Sequence, residues 1–288
     1  MKKRRVYIIL GSIIALFFLL LILRLIGSNV SLGEKVAVVD ITGVISRSDA
    51  TIKLIHTYRD DPSIKAIVIR IDSPGGSVAP VQEIYSELKK IEKPIVASMG
   101  GSAASGGYYV ACAADTIFAN PGTLTGSIGV IMQFTQLKGL YDKVGLGHQV
   151  IKSGDFKDTG SPFRELTEQE RAVLQSTVDD VYNQFVDTIF ETRGDLLTRA
   201  EIVELADGRI YSGKQALDSK LLDQLGNLPD AIKTAAELAG IEGKPKVVRK
   251  EKKTSLLEQL TGIQQIPPLN EMFSPPGVTF RYEMSLGK

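Results

Sequence analysis

The sequence is poor in the residues that build several common kinds of site. It has a single cysteine, Cys112, so no intrachain disulfide can form, and the Cys/His spacings of a zinc site are missing. Its two histidines, His56 and His148, lie in no catalytic motif. The net charge of +1 gives no reason to expect a nucleic acid as partner. We therefore expect neither a metal nor another cofactor, and we expect Cys112 to be a small buried apolar residue.

A long apolar run stands near the N-terminus. Residues 6–23 carry no charge, and four basic residues precede them. Such a run is close to the ~20 residues that cross the hydrocarbon core as a helix. Because the positive charges come first, the positive-inside rule predicts a single-pass anchor in the cell membrane, with the N-terminus cytoplasmic and the rest of the chain outside. A cleaved signal peptide is the alternative, but its apolar region would be shorter, and residues 24–29 make a poor cleavage site.

Composition divides the chain into four parts. We expect a basic tip and transmembrane anchor over residues 1–27, a polar linker over 28–35, a folded domain over 36–240 and a tail over 241–288. The tail is rich in lysine and proline, which is typical of a flexible or partner-docked extension. The part of the chain that follows the apolar run is long enough for one large domain or two small ones.

Apolar, β-branched runs alternate along the chain with Gly-rich turns and amphipathic stretches. We predict strands over residues 36–41, 66–71, 94–99, 116–119, 128–132 and 149–152. Helices are predicted over residues 52–59, 81–91, 103–115, 136–144, 167–193, 198–206, 212–219 and 229–238. Turns are predicted at residues 72–77 and 100–102. This alternation predicts an α/β layered fold with a largely parallel sheet.

Ser105 stands between a Gly-rich turn and a stretch of small residues that we expect to be helical. Small neighbours let a substrate backbone approach closely, and free N–H groups at the start of a helix suit a developing oxyanion. These features favour a nucleophile. The local pattern alone is equally typical of a serine that caps a buried helix.

Two glycines follow a predicted buried strand at Gly75 and Gly76. Such a turn can direct its amides toward a ligand, although an ordinary strand-to-helix turn has the same residues. Together with the serine, it offers two backbone donors for an oxyanion hole, the N–H of Gly76 and that of Gly106.

Neither histidine is placed to serve as a base, so a lysine is the natural alternative. A lysine can take this role when burial lowers its pKa and leaves the amine neutral. The candidate is Lys157, which lies in a turn-rich segment between Asp155 and Asp158. Those carboxylates would stabilise the charged ammonium, so we expect them to point elsewhere. By its local sequence alone, Lys157 is more typical of a solvated surface lysine than of a base.

Four motifs in this order resemble those of the signal peptide peptidase A family of serine peptidases. They are DSPGG (72–76), MGGSAASGGYY (99–109), TLTGSIGV (123–130) and KSGDFKD (152–158). The similarity covers about residues 35–240. The resemblance implies a crotonase/Clp-protease-like fold and a Ser–Lys dyad, with Ser105 as nucleophile and Lys157 as general base. It also implies that Ser127 lies beside the lysine and orients it by a hydrogen bond; an ordinary turn serine is the alternative for Ser127.

The chain is similar to the half-length form of that family. Such proteins are expected to form homo-oligomeric rings, in which Lys157 could reach Ser105 of a neighbouring subunit. A ring with inward-facing catalytic groups would admit only unfolded or short peptides. The expected substrates are therefore cleaved signal peptides left in the membrane and other short apolar peptides.

Two other functions fit part of the sequence. A crotonase-like acyl-CoA enzyme would share the fold and the Gly-rich oxyanion hole, but the apolar N-terminus and the serine beside the hole argue against it. A non-catalytic membrane scaffold would use the ring or the tail to bind partners, and it would not need Ser105.

Overall fold

The computed structural model describes residues 33–250 and the backbone of Arg281–Glu283. The predicted anchor over residues 1–27, most of the linker and most of the tail lie outside these residues. Among the helices that are described, none combines the length and the apolar character needed to cross a membrane.

The centre of the fold is a mostly parallel sheet, to which eight described strands contribute. Ten strands are described in all, eight in this sheet and two in a separate pair. They are β1 (Lys35–Thr42), β2 (Ile64–Ser73), β3 (Gly75–Ser77), β4 (Ile95–Ala104), β5 (Thr116–Ala119), β6 (Leu124–Gly126), β7 (Ile210–Ser212), β8 (Gln224–Leu225), β9 (Lys246–Arg249) and β10 (Arg281–Glu283). The order is β7-β6-β4-β2-β1-β9, with β5 beside β4 and β8 beside β5, while β3 and β10 form a separate pair. Only β6 and β7 run antiparallel within the large sheet.

Helices cover both faces of this sheet. They are α1 (Asp49–Asp60), α2 (Val78–Lys89), α3 (Gly106–Ala111), α4 (Lys138–Val144), α5 (Glu168–Arg193), α6 (Arg199–Leu205), α7 (Gly213–Asp218) and α8 (Leu228–Leu238). Val36, Val38 and Val68 face α8, whereas the alternate residues Ile67 and Ile69 belong to a larger core on the other side. Because both faces are covered, the central strands are apolar throughout, as parallel strands in layered α/β folds are. The predicted α/β fold is confirmed.

Most predicted elements are present, but β4 is longer than expected. The predicted turn at residues 100–102 is wrong, because β4 continues to Ala104 through an irregularity opposite Asp72. An ideal Cβ on Gly100 would lie only 3.0 Å from Asp72 Cβ, so glycine permits this close approach. Ala103 and Ala104 pair with β6, which shortens the helix predicted over 103–115 to α3.

Two predicted strands are not formed. Residues 128–132 follow β6 as an irregular segment, and residues 149–152 are exposed, with Ile151 fully accessible to solvent. A short apolar run forms a strand only where a neighbouring strand is available to pair with it, and the sequence of the run does not show this.

Two short strands lie within the predicted tail. β9 extends the sheet in parallel beside β1, and Arg249 donates from Nε to Asp40 Oδ2 at 2.8 Å. β10 pairs antiparallel with β3, with Tyr282 opposite Gly76 in the register.

Candidate active site

Ser105 lies at the sharp junction between β4 and α3. Its backbone has φ 52° and ψ −116°, a conformation that favours glycine, and its N–H donates to Gly126 O at 2.7 Å. A serine on a strained strand-to-helix turn is also the arrangement of the nucleophile elbow in α/β-hydrolases. Strain of this kind, of about 1–3 kcal/mol, persists where the surrounding structure enforces it, and functional sites often contain it.

The hydroxyl of Ser105 is buried and unpaired. The residue is 1% exposed, and its Oγ has no hydrogen-bond partner within residues 33–250. Buried hydroxyls are nearly always hydrogen-bonded, so an unpaired one calls for an explanation. A partner that arrives from outside the single chain, such as a substrate or a neighbouring subunit, would supply the missing bond.

A bridge to Ile45 fixes the orientation of the Gly76 backbone. Ile45 N donates to Gly75 O and Ser77 N donates to Ile45 O, both at 2.8 Å, which fixes one edge of β3. Because backbone groups alternate along a strand, the N–H of Gly76 faces the opposite edge, where β10 also lies. A Cβ on Gly76 would lie 2.1 Å from Ile45 O, so this close pairing requires glycine.

Gly106 brings the second predicted donor beside the first. An ideal Cβ on Gly106 would lie 3.3 Å from Gly76 N and 2.7 Å from Val81 Cγ2. The two glycine backbones are therefore in direct contact next to Ser105. This is the pair of amides that the sequence predicts for an oxyanion hole.

Ser73 supports this arrangement from beneath, and sequence analysis missed it. The residue is fully buried, and its Oγ donates to Gly43 O at 2.6 Å while accepting from Gly75 N at 3.1 Å. One hydroxyl thereby links the 43–45 loop to the start of β3. The motif at residues 72–76 contained the signal, but nothing in it indicated a bond to Gly43.

Ser127 follows the residue that binds the Ser105 amide. It also has positive φ, 50°, and its N–H donates to Arg209 O at 2.8 Å. Ser127 is partly exposed and lines a groove of about 490 Å³ together with Ile128, Val130 and Tyr182. Because Ser105 N binds the carbonyl of the preceding residue, Gly126, the backbone of Ser127 lies close to that of Ser105.

Lys157 is exposed, in a run of turns over residues 153–160. Because Ser105 Oγ is unpaired, the described part of one chain does not join these two side chains by a hydrogen bond. The Asp158 carboxylate accepts from Lys152 Nζ at 2.6 Å and from Arg164 Nη2 at 2.7 Å. Both oxygens of Asp158 thus bind cationic groups other than Lys157.

The two histidines and the cysteine lie elsewhere in the fold, away from Ser105. His56 Nε2 lies 2.6 Å from Glu87 Oε2 between α1 and α2, and His148 packs on the ring of Phe163. Cys112 is fully buried, and burial raises the pKa of its thiol to about 12, so it remains protonated. The prediction of a small buried apolar residue at this position is confirmed.

Two family models match the chain. The model of peptidase family S49 matches residues 87–242, and the Clp protease model matches residues 35–124. Together they cover the segments that contribute Gly76, Ser105, Ser127 and Lys157. The predicted Clp-protease-like fold is confirmed.

Individual relatives agree with this assignment. A protein named a protease, from Synechocystis sp., is 43% identical over 234 residues, which are 80% of this chain and 83% of that protein. A protein named signal peptide peptidase SppA, from Enterococcus faecium, is 40% identical over 60% of this chain and 51% of its own. The chloroplastic serine protease SPPA of Arabidopsis thaliana is 34% identical over 80% of this chain and 36% of its own. The chain belongs to peptidase family S49.

Proposed function

We propose that this chain is a membrane-anchored serine endopeptidase in which Ser105 and Lys157 form the catalytic dyad. Membership of family S49 and the relatives named signal peptide peptidase SppA and serine protease SPPA support a serine protease. The observation that carries the choice of nucleophile is the buried hydroxyl of Ser105, which has no partner among the described residues and lies next to the neighbouring backbones of Gly76 and Gly106.

The proposed reaction is acyl transfer. Neutral Lys157 accepts the proton of Ser105, whose Oγ attacks a peptide carbonyl carbon. The N–H groups of Gly76 and Gly106 stabilise the oxyanion, and each such donor contributes about 3 kcal/mol. The Lys157 ammonium then protonates the leaving amine, and water attacks the acyl-serine to release the acid. Ser127 orients the lysine by a hydrogen bond.

We propose that the lysine reaches the serine of a neighbouring subunit in a ring. The segment before Lys157 exposes several large apolar side chains, which a subunit contact would bury. They are Leu140, Val144, Leu146, Val150, Ile151 and Phe156. A second copy of this chain is the occupant that would also complete the site, because it would bring an amine to the unpaired hydroxyl.

The proposed substrates are cleaved signal peptides and other short apolar peptides. The groove beside Ser127 is lined by Ile128, Val130, Tyr182 and Ile210, which suits apolar side chains. An N-terminal anchor would hold the site at the membrane surface, where such peptides emerge. The peptidase matches favour this function over an acyl-CoA enzyme or a scaffold.

Cleavage of a fluorogenic apolar peptide by the full chain in detergent tests the proposal. We expect Ser105→Ala and Lys157→Ala each to lose about 10³-fold or more in kcat/KM, because the members of a catalytic unit act together. Lys233→Ala removes an exposed lysine from helix α8, outside the proposed subunit contact, and should leave the rate unchanged. Cleavage that survives either dyad substitution, or acyl-CoA turnover that is independent of Ser105, would exclude the dyad.

A further inference from the structure

The loop that carries Lys157 is tied to the long helix α5 through one arginine. Arg164 Nε donates to Asp158 Oδ2 at 2.9 Å, and Arg164 Nη1 donates to Glu170 Oε2 at 2.8 Å. Arg164 Nη2 bridges the other oxygens of both carboxylates. The planar guanidinium thus forms paired bonds with two carboxylates at once, which an ammonium group cannot reproduce.

Arg164, Asp158 and Glu170 together form a clamp, and its Glu170 end is held in place by further hydrogen bonds. Glu170 is 2% exposed and lies in the first turn of α5, where it accepts from Thr167 N at 2.9 Å as part of a capping box. It also accepts from Thr159 Oγ1 at 3.0 Å, which lies two residues beyond Lys157. The loop is therefore fixed to a 26-residue helix at two neighbouring residues, at Asp158 through Arg164 and at Thr159 directly.

At the Asp158 end, both carboxylate oxygens are bound by cationic groups other than Lys157. Oδ1 accepts from Lys152 Nζ and Arg164 Nη2, and Oδ2 accepts from Arg164 Nε. The charged groups around it are Lys152 on the same loop, Arg164 on the following turn and Glu170 on α5. Lys157 itself makes no side-chain hydrogen bond or ion pair within residues 33–250, and Asp155 and Asp158 flank it in sequence.

This arrangement matters for a lysine that must be neutral. A carboxylate within about 4–6 Å of an ammonium group stabilises the charged form and raises the pKa of that group by about 1–3. If Arg164 were absent, Asp158 would lose most of its partners and would be free to turn toward the adjacent Lys157.

We propose that Arg164 is a positioning residue for the general base: it holds the Asp158 carboxylate away from Lys157 and fixes the base-bearing loop to the first turn of α5. This inference rests on the proposed function, in which Lys157 is the base.

The clamp is intact over the pH range in which a base would be studied. The Arg164 guanidinium holds the pKa of Asp158 and that of Glu170 well below the usual range of carboxyl groups. For carboxyl groups whose folded pKa is lowered, the stabilisation is present above the ordinary carboxyl pKa and is lost only as pH falls through the folded value. Above about pH 5 both carboxylates therefore stay ionised, and their protonation does not contribute to the pH dependence of the rate.

The dependence of kcat/KM on pH tests this inference. Arg164→Gln keeps a hydrogen-bonding side chain but removes the charge. We expect the acid limb of its profile to shift to higher pH by about one unit, with a rate about tenfold lower on that limb and close to wild type at the alkaline plateau. The double variant Arg164→Gln/Asp158→Asn should return the limb to its wild-type position, because the released carboxylate is gone.

Matched variants separate positioning from a structural role. Arg199→Gln removes an arginine of α6 that binds Asp187 on α5, the helix that also carries Glu170. We expect no shift of the acid limb in this variant. If Arg164→Gln does not fold, Arg164→Lys, which retains the charge and fewer paired bonds, should show a smaller shift in the same direction. A uniform loss of rate at every pH, without a shift, would overturn the inference. The dyad itself fails only if Lys157→Ala remains active, so the two failures are distinguishable.

Discussion

At the scale of single residues, the site depends on the absence of side chains as much as on their chemistry. The close packing of Gly76 on Ile45 and of Gly106 on Val81 requires that neither glycine carries a Cβ. A methyl group on Gly106 would lie 3.3 Å from Gly76 N and would overlap Val81 Cγ2 at 2.7 Å. Steric overlap and coverage of the amide are separate effects, and substitutions can separate them.

Gly106→Ala is expected to lose both stability and activity. Overpacking of a well-packed site costs about 1–3 kcal/mol, and loss of one oxyanion donor costs about 10²–10³-fold in kcat. The double variant Gly106→Ala/Val81→Ala removes the overlap with Val81 but leaves the methyl group 3.3 Å from Gly76 N. We expect it to recover none of the activity, and Val81→Ala alone serves as the control for the cavity. Kinetics and thermal unfolding of the three variants decide the matter; recovery of kcat in the double variant would show that only packing was affected.

Several residues of the site could be predicted from the sequence, because local chemistry identifies them. Ser105 stands in a motif whose small neighbours indicate close approach of another backbone. Ser73 could not be predicted, because its partner Gly43 is 30 residues away and is a backbone carbonyl without a sequence pattern. Arg164 was missed for the same reason: its role depends on two carboxylates that only the folded loop brings together.

At the scale of elements, long periodic segments were predicted well and short ones were not. The helix over 167–193 was predicted within one residue, because its apolar spacing and its Thr167 capping box agree. The strand predicted over 149–152 was wrong, since an exposed apolar run can have the same composition as a buried strand. Gly100 was assigned to a turn because glycine is typical of turns, yet here it permits the irregularity in β4.

The pairing of β10 with β3 has a consequence for substrate access. β10 occupies the edge of β3 that carries the N–H of Gly76. An extended substrate that docks on this edge would compete with β10, and a competitor that fills the edge in most molecules raises the apparent KM.

Removal of residues 281–288 is therefore expected to increase the cleavage of short peptides. We expect kcat/KM to rise roughly three- to tenfold, mainly through a lower KM, because the edge is freed. Removal of residues 284–288 alone leaves β10 in place and should change little. Peptide kinetics of the two truncated chains provide the measurement, and an equal response of both would mean that β10 does not limit access.

At the scale of the whole molecule, one chain presents an incomplete site and an incomplete surface. Among the described residues, Ser105 Oγ has no hydrogen-bond partner, Lys157 is exposed, and the segment before Lys157 exposes apolar side chains. A second copy of the chain would resolve all three features with one contact. A dyad shared between subunits also predicts a result that no dyad within a chain can give.

Co-expression of Ser105→Ala chains with Lys157→Ala chains should restore activity that neither variant has alone. Where a Lys157→Ala subunit supplies the serine and a Ser105→Ala subunit supplies the lysine, the site is complete. If subunits mix at random in equal amounts, about a quarter of the sites in a closed ring are complete, and we expect about that fraction of wild-type peptide turnover. Placing both substitutions in one chain and co-expressing it with Ser105→Ala leaves no intact serine, so this mixture should be inactive. Mixed rings purified through a different tag on each variant provide the measurement. Activity no higher than that of the separate variants would show that each chain supplies its own base, because every chain in the mixture lacks one member of the dyad.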